Sequence, residues 1–322
     1  MPFGNTSKFT LEICCSDFES AKLAEKHGAD RIELCQNLEQ GGVTPSYGLI
    51  KKCVEKLNIP VHVLIRPRTG HFGYLSSEFD VMREDVKICK ELGCAGVVIG
   101  VGGHSHKVDG GRNPALVEDA GGMAVTFHRA FDDMSEYSDM LYALEAVIKT
   151  GCSRLLTSGG AETAEEGIDQ VAELVQEAEG RIIIMAGSGV TPENVKHIIE
   201  QTGVREVHTS AKRVKKHTEK NQRRGLFEAH QLVVDGQIVS KMVEVLESIQ
   251  LDSLPPLVPR AKRIKLGQAE EIVMPIGDGY GFTVDTQPSV SGTQALPNRA
   301  GDPSGGEEFD PFLVYATHPT TK

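Results

Sequence analysis

The stretch "AVTFHRAFDD", residues 124–133, runs from a segment of apolar or β-branched residues, Ala124 to Phe127, straight into His128, Arg129 and Asp132. Such a segment, without polar alternation beyond one β-branched threonine, reads as a buried strand, as in a parallel sheet wrapped by helices. Polar groups gathered at its C-terminal end are what a parallel barrel carries at its functional mouth. Working outward, the same unit recurs: a short apolar strand, a polar or glycine-rich turn, then an amphipathic helix. Strands are expected at "FTLEICC", "ADRIELC", "VHVLIRP", "AGVVIG", "AVTFHRAF", "SRLLTSGG", "RIIIMAG" and "REVHTSA". Helix starts are expected where Ser16 precedes Glu19 and at Thr44-Pro45 and Thr191-Pro192. Helices are predicted over 78–92, 136–149, 162–178 and 191–202, with a short one around Pro114 to Asp119. Ile238, Val239, Met242, Val243, Leu246 and Ile249 share one helical face and predict a closing helix. Eight βα units predict a (β/α)8 TIM-type barrel over residues 9–250, with a doubly wound open sheet as the alternative.

Composition bounds the rest. A chain of 322 residues, 39% hydrophobic and 25% charged, has the material of a globular core. It contains no apolar run of membrane-spanning length, and "MPFGNTSKFT" lacks a signal-peptide pattern, so a cytoplasmic setting and no membrane partner are expected. Seven cysteines favour free thiols over a disulfide framework. A net charge of -11 argues against nucleic acid as a partner, the basic stretch 212–224 being read as solvated. Residues 251–322 hold nine of the fifteen prolines and show no periodicity, which predicts a disordered tail. Within that tail Lys262, Arg263 and Lys265 suggest a nuclear-import address, and the tail offers the material for an interaction scaffold.

The strand ends supply the candidate site. Glu12, Glu33, His128 and Asp132 are candidate acid–base groups, and Arg66 and Arg129 are candidate anion holders. Thr157 and Ser158 end the sixth strand; Gly187, Ser188 and Gly189 after the seventh, with His208 and Ser210 on the eighth, suggest a phosphate-type anion site. Alternation places Glu12 with Cys14, and Glu33 with Cys35, on inward faces, so two carboxylates and two thiols are expected side by side in the mouth. His128 and Arg129 are read as cationic counterparts to those acids. This set suits acid–base chemistry on an anionic, phosphorylated or carboxylated, small molecule.

The motifs "LEICC", "GADRIELC", "EQGGVTPSYG", "IPVHVLIRPRTGHFGY", "VTFHRAFD", "LLTSGG" and "EVHTSA" together resemble the CutC family of copper homeostasis proteins, in the form of a eukaryotic member with a C-terminal extension. The resemblance implies a TIM-type barrel, a cytoplasmic role and copper as the ligand. Cuprous copper, Cu(I), prefers thiolates, which points to Cys14 and Cys35 as metal ligands in a near-linear pair. Cys53, Cys89, Cys94 and Cys152 read as structural, and His104 and His106 as a mobile loop. The fourth unit, "VGGHSHKVDGGRNP", departs from the family pattern. A homo-oligomer is expected by analogy with other parallel barrels.

Overall fold

A computed structural model of the chain describes residues 9–103, 107–135, 139–214 and 232–250. Eight parallel strands close in sequence order into a barrel: β1 (Thr10–Cys15), β2 (Arg31–Leu34), β3 (Val61–Leu64), β4 (Gly96–Ile99), β5 (Ala124–Phe127), β6 (Arg154–Thr157), β7 (Ile183–Gly187) and β8 (Glu206–Thr209). All eight expected strands are present, and closure by β1–β8 pairing rules out the open-sheet alternative. Helices α1 (Phe18–Lys26), α2 (Tyr47–Lys56), α3 (Ser76–Leu92), α4 (Arg112–Ala120), α5 (Ala130–Ser135), α6 (Met140–Lys149), α7 (Ile168–Ala178) and α8 (Val195–Thr202) alternate with them. A two-stranded antiparallel ribbon, β9 (Lys212–Val214) with β10 (Leu232–Val234), leads into α9 (Gly236–Ser248).

Outward strand residues such as Leu11, Ile32, Val63 and Val97 pack against Ala21, Ile50, Met82 and Leu144 of the helices in one continuous core. Cys53, Cys89, Cys94 and Cys152 lie in that core as free thiols. The closing helix α9 buries Val239, Met242 and Leu246 on the predicted face. Burial of a side chain of this size is worth about 1.5–3 kcal/mol.

The helix starts differ from expectation in ways that matter for the site. Asp17, not Ser16, caps α1 by accepting from the Ser20 N–H, because its carboxylate is the stronger acceptor. Ser46, not Thr44, caps α2; the Thr44 hydroxyl instead accepts from the Arg66 N–H at 2.9 Å. The helix expected over 136–149 is α6, which begins at Met140, and a short additional helix, α5, precedes it; α7 begins at Ile168 and α8 at Val195. The fourth unit, despite its divergent sequence, carries a full helix, α4, because Asn113 ties it to Val101 through two hydrogen bonds. His104, His106, most of the basic stretch after Val214 and all of 251–322, with Lys262, Arg263 and Lys265, lie outside the described residues.

Candidate metal and anion sites at the barrel mouth

The barrel interior is polar from the bottom. Glu12 is fully buried and accepts from Arg31 Nε at 2.5 Å, while His208 Nδ1 lies 2.8 Å from its other oxygen and His62 Nδ1 lies 3.8 Å away. Glu206 receives Arg31 Nη2 at 2.6 Å and both Nε and Nη2 of Arg154, at 2.5 and 2.9 Å. Two glutamates thus neutralise two arginines. Burial alone would raise the Glu12 pKa, but Arg31, His208 and His62 pull it well below the carboxylate range. Burial likewise opposes ionisation of Glu206, yet Arg154 and Arg31 hold its pKa low. Burial pushes His62 down to about 4, with Arg31 and Arg154 adding to the effect, so this ring is neutral at pH 7.

None of Arg31, His62, Arg154 and Glu206 was among the candidates drawn from strand ends. They sit early in their strands, yet Arg31 is two residues before Glu33 and Glu206 two before His208, so side-chain alternation carried the signal.

One layer higher the expected arrangement is corrected by the barrel's shear. Glu12 is level with Arg31, and Cys14 with Glu33, so the two carboxylates are staggered rather than side by side. The stagger still brings the thiols together: Cys14 Sγ lies 3.6 Å from Cys35 Sγ and 3.8 Å from Glu33 Oε1. Leu64 and Val98 enclose the pair in a small apolar patch of its own. Donor atoms of Cys14, Glu33 and His208 all lie within 4.8 Å of one another. The hydrogen bond with Cys35 and then burial raise the Cys14 thiol pKa well above its ordinary value. Burial raises Glu33 to about 7, and its Oε2 has no hydrogen-bond partner. Burial disfavours the charged His208, but its bond to Glu12 and the nearby Glu33 raise its pKa overall. With Nδ1 committed to Glu12, the other ring nitrogen is left for a ligand.

His128 and Arg129 are not counterparts to Glu12 and Glu33, a second correction. Arg129 donates to Asp132 at 2.8 Å, to Ser158 Oγ at 2.8 Å and to Ala161 O at 3.2 Å. Asp132 also accepts from Thr157 Oγ1 at 2.5 Å, from the Ser158 N–H at 3.1 Å and from the Gly160 N–H at 3.1 Å. Both are absorbed in a knot that ties α5 to the turn after β6. Burial, with Arg66 adding to it, pushes His128 down to about 3 and keeps it neutral.

Gly187, Ser188, Gly189 and Ser210 do not share an environment with Arg66. Ser188, Gly189 and Ser210 line a cavity of about 810 Å³ with Cys14, Arg129, His208, Lys212 and Lys241, so the thiol site opens into this space. Ser188 adopts φ 79° and donates its hydroxyl to Glu162 O at 2.8 Å, away from any ligand role for its oxygen hydrogen. Gly187 has its own reason to be glycine: a Cβ there would lie 2.5 Å from Leu156 Cδ1. Arg66 sits among the β2 and β3 loops instead, donating to Gly42 O at 2.9 Å and Gly70 O at 2.7 Å.

The CutC family model matches residues 9–213, which include every strand of the barrel. The chain belongs to the CutC family. A CutC protein of Histophilus somni is 46% identical over 202 residues, 63% of this chain and 82% of the relative. A CutC protein of Edwardsiella ictaluri is 40% identical over 248 residues, 75% of this chain and 97% of the relative. The solved CutC of Streptococcus agalactiae, described as a copper homeostasis protein, is 34% identical with a TM-score of 0.60, covering 63% of this chain and 98% of its own.

Proposed function

We propose that this CutC chain binds cuprous copper at Cys14 and Cys35 and handles it as cargo in a reducing, cytoplasmic compartment. The observation that supports the reading is the 3.6 Å approach of two buried free thiols at the end of an open cavity. Soft thiolates select Cu(I) over hard cations. At metal–sulfur distances of about 2.3 Å, that sulfur spacing corresponds to an angle of roughly 100° at the ion, not a line. A third donor is therefore needed, and His208 supplies it, with Glu33 beside it to take up the thiol's proton above about pH 7, where its own carboxylate is ionised. The copper homeostasis role ascribed to the Streptococcus agalactiae relative is consistent with this chemistry.

Competition with a Cu(I) chelator of known strength, under reducing conditions, tests it. The wild-type chain should compete, the Cys14→Ser/Cys35→Ser variant should bind at least 100-fold more weakly, and His208→Phe should fall between them. Weak binding by the wild type, or binding indifferent to the thiols, would discard the copper reading. Tighter retention of Zn(II) than of Cu(I) by the same four residues would replace it with a divalent site.

A further inference from the structure

The loop after β3 covers a second polar cluster that the copper site does not use. Arg66 is 6% exposed, and among the described residues no carboxylate pairs with it; its two terminal nitrogens donate to the neutral carbonyls of Gly42 and Gly70, with the Tyr74 hydroxyl close by. Its Nε has no hydrogen-bond partner. A buried guanidinium facing only neutral groups is costly, since a charge removed from water needs a counter-charge.

His128 adds a second orphan donor. The Ala130 N–H donates to His128 Nδ1 at 3.0 Å, which assigns the proton of this neutral ring to Nε2. That Nε2 is buried and has no partner. The ring is held in place from behind, because a Cβ on Gly100 would come within 2.3 Å of it. Phe72 joins the two donors: its ring centroid is 4.9 Å from Arg66 Cζ and 5.0 Å from the His128 ring. Tyr74 is 6% exposed and its hydroxyl has no partner at full hydrogen-bond geometry; burial raises its pKa, and Arg66, close enough to act on it by charge and by a loose hydrogen bond, opposes that rise, leaving the hydroxyl proton to be donated.

We propose that Arg66, His128 and Tyr74 form a seat for the carboxylate of a small organic acid, its oxygens accepting from Arg66 Nε, His128 Nε2 and the Tyr74 hydroxyl. Three hydrogen-bond donors with a single positive charge match a planar monoanion. A water molecule satisfies donors but leaves the charge of Arg66 uncompensated, and a dianionic phosphate exceeds the charge available. In this seat His128 is a hydrogen-bond donor rather than a base, since its one basic nitrogen is occupied by Ala130. The seat adjoins the thiols through Gly42, whose carbonyl accepts from Arg66 and whose Cα faces Cys35 Sγ closely enough that a Cβ would lie 3.6 Å from it. The inference stands on Arg66, His128 and Tyr74 alone and does not depend on copper binding.

The test uses the full chain, metal-free, titrated with acetate at constant ionic strength by calorimetry and thermal shift, with chloride and inorganic phosphate as parallel arms. Saturable stabilisation by acetate is expected, at least tenfold weaker for either inorganic ion. Tyr74→Phe, which removes one donor while keeping the ring, should weaken acetate at least threefold, and Arg66→Gln at least tenfold. Should Arg66→Gln fail to fold, Tyr74→Phe and the wild-type anion ranking decide. No saturable response to acetate, equal response to chloride or phosphate, or acetate binding unchanged in Tyr74→Phe overturns the proposal.

Discussion

The bottom and the mouth of the barrel interior hold comparable numbers of buried polar side chains and differ in how fully those groups are satisfied. At the bottom, Glu12, Arg31, Arg154 and Glu206 pair among themselves, charge for charge. Among the described residues, Glu33 Oε2, Arg66 Nε, His128 Nε2 and the Tyr74 hydroxyl at the mouth have no hydrogen-bond partner, whereas at the bottom this holds for Nδ1 of the neutral His62. Buried polarity alone therefore does not mark a site. A cluster of incompletely paired groups does, because each group left unsatisfied by its own chain costs free energy that a ligand recovers.

The largest expected effect breaks the satisfied layer. Glu206→Ala leaves two buried guanidinium groups short of a counter-ion and should cost about 3–5 kcal/mol in urea denaturation, with metal binding retained by whatever fraction stays folded. A loss below about 1 kcal/mol would mean that the layer is more hydrated than its geometry implies.

Next comes the knot at the edge of the mouth. Asp132→Ala strands the Ser158 and Gly160 amides and the Thr157 hydroxyl and should cost about 2–3 kcal/mol in the same measurement. Cu(I) affinity is expected to stay within about threefold of wild type, on the scale where 1.4 kcal/mol is tenfold. A large affinity loss with intact stability would return Asp132 to the site.

The smallest effect sharpens the contrast through pH. Between about pH 4.5 and 7 the folded chain keeps a proton on Glu33 that the unfolded chain has released. The stability this contributes is complete below 4.5 and is lost as pH rises through about 7, by at most about 1.4 kcal/mol per pH unit. His62 and His128, whose pKa values are lowered by burial, change stability in the opposite direction over part of that window. The wild-type profile is thus a sum, and the difference between wild type and Glu33→Gln isolates the Glu33 slope. A flat difference would show Glu33 ionised throughout.

How much was legible in the sequence follows the same division. The strands were legible because each carries apolar residues on the face that meets the helices, such as Leu11, Ile32, Val63 and Val97, and the closing helix because Val239, Met242 and Leu246 recur at helical spacing. The proximity of Cys14 and Cys35 was legible through alternation on adjacent strands. The partners of Glu12 were not: assigning them required the register in which β1 meets β8 and faces Arg31 across β2, and no local pattern encodes that. Arg129 is the opposite case: its acid is Asp132, three residues along the chain, a local spacing that was present in the sequence.

By itself, then, the sequence determined the unit, its repetition and the end of the strands where chemistry gathers, since these depend on local periodicity and on side-chain alternation. Tertiary structure alone decided which charges cancel, which nitrogen of His128 carries the proton and which donors remain unmet. Those outcomes depend on shear, on a glycine at position 100 that admits an imidazole, and on loop carbonyls that occupy two nitrogens of Arg66 and leave the third free.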